Sequence, residues 1–464
     1  MRLPLLLLLI GSCALLGCTN VNVALNSPDV PLESRARNHT RATTGGEVSP
    51  PQTQPSAPNI SADVTAPVRV VPDDDGYFVG LALSGGGSRS ANFSAACMFE
   101  LQRLGILRHV DYISSVSGGS LTAAFYCVSD DAQWNPGEAQ RRLTHPFATD
   151  LIIKFLMPWN MIALLVSDFD RSDLLADSFK DNVFSRDGHQ LTYADLRQDR
   201  PRLLINATDL QSGRGFIFCD ETFDQLNSDL SKYPICYAVA ASAAVPVVMH
   251  QVTLRDYSTI FKQFRHLVDG GVSDNLGISS LVETYEAQLV SAEKAQRSDP
   301  YPNGALFIVL DARTRFDARL DDKGDVGVVE GLVAGAGLTS SQLLSRVSTA
   351  TMADIIVRYS PGEVTAGQLR QQIAQLEKEG YLELRDQHGH RVVVVHLALS
   401  HAADLKNTPS PSFFERLNNI ATYFNISEVE AASLYQAATL LVREQFEPRL
   451  LPLARELESG APPR

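Results

Sequence analysis

Three short motifs in this chain contain the residue types that hydrolysis of an acyl bond requires. The sequence SGGGSR occupies residues 84–89, SVSGG follows at 115–119, and DGG stands at 269–271. Backbone N–H groups of a glycine-rich turn can stabilise an oxyanion, a serine can attack a carbonyl carbon, and a carboxylate can accept the proton of that serine. The motifs therefore supply an oxyanion loop, a nucleophile and a base, provided that the fold brings them together.

The serine motif has the pattern of a sharp turn between a strand and a helix. Residues 112–116 are rich in β-branched and aromatic side chains, which favours a strand, and residues 120–127 are apolar and small, as in a buried helix. A serine at such a corner, here Ser117, presents its hydroxyl beside the positive end of the helix. Gly118 and Gly119 are the small neighbours that a crowded corner needs.

The glycine motif follows the apolar run 78–83, which is typical of a buried parallel strand. A turn through its three glycines can direct several amide N–H groups outward, and the helix that we expect to begin at Ser90 or Asn92 adds its dipole. The turn therefore predicts a site for a phosphate or an oxyanion. The glycines concerned are Gly85, Gly86 and Gly87.

Two nucleotide-binding interpretations of this loop are excluded by its sequence. A dinucleotide fingerprint, G-x-G-x-x-G, needs a third glycine in its sixth position together with an acidic residue about 20 positions later, and a P-loop needs a Lys-Ser/Thr pair. Ser90 stands in the sixth position and no such pair follows. Arg89 is predicted either to orient the loop or to hold an anionic head group.

The third motif ends a further apolar run with a carboxylate. Asp269 is followed by Gly270 and Gly271, so we expect it at the edge where open α/β sheets place their sites. There it can take the proton of Ser117 without a histidine. The alternative is an aspartate that only caps the helix expected to begin near Leu276.

The motifs in this order resemble the patatin-like phospholipases, a family of lipid acyl hydrolases with a Ser-Asp dyad. The resemblance covers residues 77–315 well and 316–445 loosely. It implies a three-layer α/β fold with a mainly parallel central sheet, Ser117 as nucleophile and Asp269 as base. The same resemblance assigns the oxyanion hole and its supporting loops to the following residues: Gly85, Gly86, Gly87, Arg89, Gly118, Gly119, Gly270 and Gly271. Two positions, Ser90 and Ser115, depart from the glycines usual in the family.

Further segments between the motifs also resemble the family. They lie at residues 171–184, 191–196, 203–209 and 240–246. From the alternation of apolar runs with helical patterns we expect the strands of the central sheet near 78–83, 111–116, 202–208, 265–269 and 305–311.

Two other functions remain open from the residues alone. A conventional Ser-Asp-His hydrolase would use Ser117, then Asp269 or Asp311, and then His396, which follows a strand-like run of valines. A non-catalytic lipoprotein scaffold would need no complete set of nucleophile, base and oxyanion loop. The combination of all three favours the dyad hydrolase.

The N-terminus resembles a bacterial lipoprotein signal. Residues 1–17 are a short basic and then apolar stretch, too short to span a bilayer comfortably, and Cys18 follows them. The resemblance implies cleavage before Cys18 and attachment of lipid to its sulfur. Because Thr19 follows where an aspartate would favour the inner membrane, we expect the protein in the cell envelope, anchored at the outer membrane.

Composition divides the rest of the chain. Residues 18–75 are rich in Pro, Ser, Thr and Asn and nearly devoid of aromatic side chains, which predicts a disordered tether. We expect the catalytic domain at 76–447 and a flexible tail at 448–464. The nearly uniform apolar stretch 151–166 fits either a lid or, preferably, a buried core segment.

Charge and cysteine usage restrict the partners. The formal net charge is −13, which argues against nucleic acid and against electrostatic adsorption to anionic lipid. We expect lipid or phospholipid as substrate, contact with the membrane through the N-terminal anchor, no cofactor and no metal site; protein partners are unknown from the sequence. The four cysteines after Cys18 lie in apolar runs, where at most one disulfide is expected.

Overall fold

The structure is a computed structural model that describes residues 26–28, 75–157, 170–246, 248–261, 263–314, 344–360 and 362–460. Its strands are β1 (Tyr77–Leu83), β2 (Tyr112–Val116), β3 (Ser185–Arg186), β4 (His189–Gln190), β5 (Arg202–Asp209), β6 (Gly215–Phe218), β7 (Val252–Asp256), β8 (Gln263–Asp269), β9 (Gly304–Asp311), β10 (Tyr381–Arg385) and β11 (Arg391–Ala398).

The helices are α1 (Gly87–Arg103), α2 (Gly118–Val128), α3 (Pro136–Leu143), α4 (Phe147–Leu156), α5 (Arg171–Asn182), α6 (Asp220–Gln225), α7 (Ile235–Ser242), α8 (Ser279–Lys294), α9 (344–358), α10 (Ala366–Glu379), α11 (Phe413–Asn418), α12 (Glu428–Leu441) and α13 (Glu447–Ser459). None of the helices in the described residues is both long and apolar enough to cross a bilayer.

One large sheet organises the domain. Within the described residues its strand order is β10-β11-β9-β1-β2-β5-β8-β7, with β6 paired to β5. Strands β11, β9, β1, β2 and β5 are mutually parallel, which confirms the predicted mainly parallel sheet, and β1 pairs with β2. The predicted strand 265–269 is also present, but it runs antiparallel to β5 because it is the second strand of the β7–β8 hairpin.

Helices cover both faces of this sheet, which confirms the three layers. Along β1, Val79, Leu81 and Leu83 face one hydrophobic cluster, whereas Phe78 and Ala82 face the other. The first cluster contains the buried side chains of α1, α2, α7, α12 and α13, and the second contains those of α8, α9 and α10. Strands buried on both faces need apolar residues at every position, and every residue of β1 is buried.

The predicted flexible C-terminal tail is wrong for most of its length. Residues 447–459 form α13, which ends at Gly460 in the left-handed conformation. Its buried residues Leu450, Leu453 and Leu457 recur at helical spacing and enter the first core cluster. The folded domain therefore continues beyond residue 447 because this leucine stripe is part of its core.

Two further segments differ from their predictions. Asn26 lies in the predicted disordered tether, yet it is 3% exposed and packs against the domain; the remainder of 18–75 lies almost entirely outside the described residues. In α4, Phe147 is buried while Ile152 and Leu156 are more than half exposed, so the core interpretation of 151–166 is wrong for this helix. Residues 158–166 lie outside the described residues.

The four predicted core cysteines are free thiols: Cys97, Cys127 and Cys236 are buried, and Cys219 is partly buried. Burial raises the pKa of the Cys97 thiol well above its ordinary value and that of Cys236 to about 12. These cysteines are therefore small core side chains and not reactive thiolates.

Candidate active site

Ser117 stands at the corner between β2 and α2 with a backbone conformation that serine rarely adopts. Its φ is 51° and its ψ is −119°, a strained combination that costs about 1–3 kcal/mol. The corner is crowded: a Cβ atom on Gly118 would lie 1.9 Å from the carbonyl oxygen of Gly87, and one on Gly119 would lie 2.6 Å from that of Leu83. The small residues after Ser117 are therefore required by packing.

Ser115, which departs from the family pattern, does not disturb this corner. The residue belongs to β2 and is fully buried, and its hydroxyl lies 3.4 Å from the carbonyl oxygen of Leu204 on β5. The added side chain is accommodated between the strands.

Asp269 reaches Ser117 because β8 enters the sheet from the edge at which the parallel strands end. Asp269 pairs with Ala207, and Asn206 pairs with Val116, so the end of β8 is nearly level with the end of β2. The Asp269 carboxylate accepts a hydrogen bond from the N–H of Gly271 at 2.7 Å, and the Ser117 hydroxyl lies close enough to lower the pKa of that carboxyl group. Both predicted residues are thus in direct contact.

The surroundings of Asp269 tune its basicity. Burial raises the pKa of its carboxyl group to about 6, while the Gly271 N–H and the Ser117 hydroxyl limit that rise. At pH 7 the group is mostly ionised, but it holds a proton more readily than an exposed aspartate does. A carboxylate in this state suits the role of a general base.

Gly270 allows this approach of the aspartate to β5. A Cβ atom on Gly270 would lie 2.3 Å from the carbonyl oxygen of Asn206. The hydroxyl of Thr208 donates to the Asp269 carbonyl at 2.9 Å and holds the backbone from the other side.

The glycine loop lies beside Ser117, and the backbone N–H groups of its three glycines differ in their hydrogen bonding. The Gly85 N–H donates to the carbonyl of Asn275 at 2.9 Å, so it is committed to holding the loop and not available to an oxyanion. Gly86 and Gly87 have φ values of 134° and 57°, and within the described residues neither N–H has an acceptor. The predicted set of three donors is therefore corrected to two.

Helix α1 begins closer to this loop than predicted. Its first residue is Gly87 and not Ser90 or Asn92. The amide of Gly87 is consequently part of the first helical turn, where unpaired N–H groups and the helix dipole both favour negative charge.

Arg89 holds the loop from behind. It is 9% exposed, and its Nη1 donates to the carbonyl of Ile420 at 2.9 Å. Burial lowers the pKa of Arg89 to about 10, whereas Asp311 raises it. Three residues after Ile420, the carbonyl of Tyr423 accepts a hydrogen bond from the Ser88 N–H. Of the two predicted roles for Arg89, this geometry supports orientation of the loop.

Ser242 is a positioning residue that the sequence did not reveal. It is fully buried at the end of α7; its Oγ accepts the Ser117 N–H at 2.8 Å and donates to the Asn206 carbonyl at 2.6 Å. Because its single proton goes to Asn206, the hydroxyl of Ser120, 3.0 Å away, is the donor in their contact. The only signal was its place in the 240–246 segment of small residues.

The predicted alternative triad is not assembled. His396 contacts Asp311, with 3.0 Å between Nε2 and Oδ2, and both are buried. However, His396 lies on β11 and Ser117 follows β2, three strand spacings away, or about 14 Å. The Ser-Asp-His interpretation is therefore wrong for this fold.

Residues 81–282 match the model of the patatin-like phospholipase family. This range contains Ser117, Asp269, Ser242 and the glycine loop. The chain carries a patatin-like phospholipase domain.

Several solved structures are similar to the chain at low identity. Human GIVD cytosolic phospholipase A2, in complex with a fluorophosphonate inhibitor, has 13% identity and a TM-score of 0.46, with 84% of this chain and 61% of that chain covered. The chain thus spans about three fifths of the human enzyme.

Two bacterial proteins are also similar. VipD of Legionella pneumophila has 13% identity, a TM-score of 0.28 and coverage of 80% of this chain and 67% of its own. ExoU of Pseudomonas aeruginosa, solved with SpcU, has 14% identity, a TM-score of 0.24 and coverage of 91% and 94%. Among curated proteins no sequence match reaches significance.

Proposed function

We propose that this protein hydrolyses the carboxylic esters of phospholipids or lysophospholipids with a Ser117–Asp269 dyad. The observation that carries the proposal is the position of the strained Ser117 beside the buried Asp269, next to the Gly86 and Gly87 amides, which have no acceptor within the described residues. An aspartate that only capped a helix would need the Gly271 hydrogen bond alone. A non-catalytic scaffold protein would need neither the backbone strain at Ser117 nor the available amides of Gly86 and Gly87.

The arrangement suits a two-step acyl transfer. Asp269 takes the proton from Ser117 Oγ as that oxygen attacks the carbonyl carbon of the ester. The carbonyl oxygen becomes negatively charged and accepts hydrogen bonds from Gly86 N–H and Gly87 N–H, beside the positive ends of α1 and α2. When the tetrahedral intermediate collapses, the protonated Asp269 gives its proton to the departing alcohol.

Water completes the cycle. Asp269, again ionised, takes a proton from a water molecule that attacks the acyl-Ser117 ester. The second intermediate collapses to release a fatty acid and restores the Ser117 hydroxyl. The two steps need no metal or cofactor, because every proton is exchanged through one carboxylate.

The substrate and the location are part of the proposal. A lipid attached to Cys18 would hold the domain at a membrane, in the bacterial envelope at the outer membrane, where phospholipid acyl chains are concentrated. The chain carries a net charge of −13, so the anchor and not basic charge supplies this attachment.

The test uses the whole chain in mixed micelles with a panel of phospholipids, lysophospholipids and neutral lipids, and products are identified by mass spectrometry. We expect wild-type protein to release fatty acid and Ser117→Ala to release none above background. Ser433→Ala, which changes a serine on the exposed side of α12, is the matched control and should act like wild type. Folded wild-type protein that hydrolyses no member of the panel would favour the scaffold.

A further inference from the structure

The β7–β8 hairpin projects from the edge of the sheet that holds Ser117. Leu267 of β8 pairs with Asp209, the last residue of β5, and Asn206 of β5 is level with Val116. The hairpin continues to the pair Asp256 and Gln263 before it turns. At about 3.3 Å per residue, its turn extends roughly 20 Å beyond the level of Ser117.

The turn of this hairpin exposes two large apolar side chains. Ile260 is 96% exposed and Phe261 is 70% exposed. Among the exposed large apolar side chains of the described residues, only Val429, at 75%, has an exposed fraction between these two. The turn has internal order: the Asp256 carboxylate accepts the Ser258 N–H at 2.9 Å, and the Thr259 hydroxyl donates to the Phe261 carbonyl at 2.8 Å. Adjacent apolar residues held at the end of a projecting hairpin are typical of an interaction surface.

Other exposed apolar residues surround the active site at the same edge. Val245 follows Ala244, whose carbonyl accepts the Asp269 N–H, and Val272 follows Gly271. Tyr423, whose carbonyl accepts the Ser88 N–H, is also exposed. Exposed apolar side chains therefore lie both on the hairpin turn and next to residues of the active site.

Asn26, in the N-terminal part of the chain, lies against this hairpin close to its turn. The Asn26 side chain pairs with the edge strand β7 as a backbone amide would: its Oδ1 accepts the Arg255 N–H and its Nδ2 donates to the Arg255 carbonyl, both at 2.8 Å. The hydroxyl of Tyr257 donates to the Asn26 carbonyl at 2.7 Å. Cys18 precedes Asn26 by eight residues, a reach of at most about 28 Å.

We propose that the β7–β8 hairpin inserts Ile260 and Phe261 into a phospholipid bilayer and so places the Ser117 site against the membrane surface. The inference rests on the proposed lipid hydrolase function for its choice of partner. A lipid on Cys18 and a chain docked at Asn26 hold this edge of the sheet, and not another, near the bilayer. Because the protein is acidic, insertion is driven by apolar burial and is insensitive to salt.

The direct test is quenching of tryptophan fluorescence by brominated phosphatidylcholine in vesicles, with the whole chain and Phe261→Trp. The matched control is Val357→Trp, an exposed position of α9. The end of α9 near Val357 lies at the edge of the sheet opposite to the one that holds Ser117. The Tyr359 carbonyl accepts the N–H of Arg385, and Arg385 pairs with Arg391, the first residue of β11. Wild-type emission, from Trp134 and Trp159, is subtracted from both variants.

We expect the added emission of Phe261→Trp to be lost in brominated vesicles at low and high salt alike, and that of Val357→Trp to be unchanged. Equal responses of the two variants would overturn the proposal. The proposal would also be overturned if quenching is absent, light scattering shows a wild-type dimer, and the double variant Ile260→Ser with Phe261→Ser is a monomer. A second copy of the chain, and not a bilayer, would then cover the hairpin.

Turnover gives an independent readout. Ile260→Ser combined with Phe261→Ser should lower hydrolysis of vesicle phospholipid by about tenfold or more, because the two side chains no longer enter the bilayer. Hydrolysis of a soluble short-chain ester should stay at the wild-type rate, and Val357→Ser should change neither rate. Equal losses on both substrates would contradict docking. Quenching without any hydrolysis would refute the proposed function and leave the docking intact.

Discussion

Two buried aspartates at the same edge of the sheet, Asp269 and Asp311, have opposite electrostatic surroundings. Asp269 accepts a hydrogen bond from the Gly271 N–H and lies beside the Ser117 hydroxyl, with no cationic partner among the described residues, and burial raises the pKa of its carboxyl group to about 6. Asp311 is fully buried, but Arg313 and His396 contact it and, against the effect of burial, hold the pKa of its carboxyl group below the ordinary value. Burial without a countercharge makes a base, whereas burial with a countercharge makes a structural ion pair.

The largest difference between the two regions should appear in catalysis. Ser117→Ala and Asp269→Asn should each reduce ester hydrolysis about a thousandfold or more, because one lacks the nucleophile and the other cannot accept its proton. Since the two residues act as a unit, the double variant should be about as inactive as either single one. Rates on a soluble ester measure this, with circular dichroism to establish folding. Losses that multiply in the double variant would show that the residues act separately.

The Asp311 region should respond in stability and not in rate. His396→Ala should lower the free energy of unfolding by about 3 kcal/mol, because it removes a partner from a fully buried charge. Urea unfolding measures this change, and soluble-ester hydrolysis at a temperature where the variant is folded should keep most of its rate. A folded His396→Ala variant without activity would restore the triad.

The raised pKa of Asp269 should make the free energy of unfolding depend on pH. Because its pKa is higher in the folded chain than the ordinary value of 3.8, ionisation of Asp269 disfavours the folded state above pH 6. Asp269→Asn should therefore unfold with up to about 3 kcal/mol more free energy than wild type at pH 8, and this gain should fade as the pH falls from 6 towards 4. Urea midpoints across this range test the sign; a gain that grows at acidic pH would contradict the assignment.

The strain at Ser117 should give the smallest effect. Both Ser117→Ala and Ser117→Gly are expected to be inactive, but only glycine adopts a φ of 51° without strain. Ser117→Gly should therefore be more stable than Ser117→Ala by about 1 kcal/mol. Thermal unfolding of the two variants in the same buffer measures the difference, and equal stabilities would show that the corner is relaxed.

The sequence predicted those parts of the molecule that depend on local patterns. Apolar runs flanked by glycine turns located the parallel strands, and the three motifs located the residues that meet at the ends of β1, β2 and β8. The hidden parts depend on contacts between distant segments. Nothing near Gly85 indicates that Asn275 uses its amide, and nothing near Ser242 indicates that Ser117 and Asn206 meet at its hydroxyl.

The boundaries were harder to predict for a related reason. The leucine stripe of α13 was present in the sequence, but its partners lie on other elements of the first core cluster. Asn26 stands in a stretch whose composition favours disorder, yet one amide side chain pairs with an exposed strand edge. Average composition does not register a single contact of this kind.

The central claim is that Asp269 activates Ser117. Its most direct test is the rate at which a fluorophosphonate labels the protein, measured by mass spectrometry from pH 4 to pH 9. We expect one label, on Ser117, with a rate that falls about tenfold per pH unit below pH 6 as Asp269 becomes protonated, and almost no label on Asp269→Asn at any pH. Rapid labelling of Ser117 in Asp269→Asn, or a rate that stays constant through pH 6, would contradict the account.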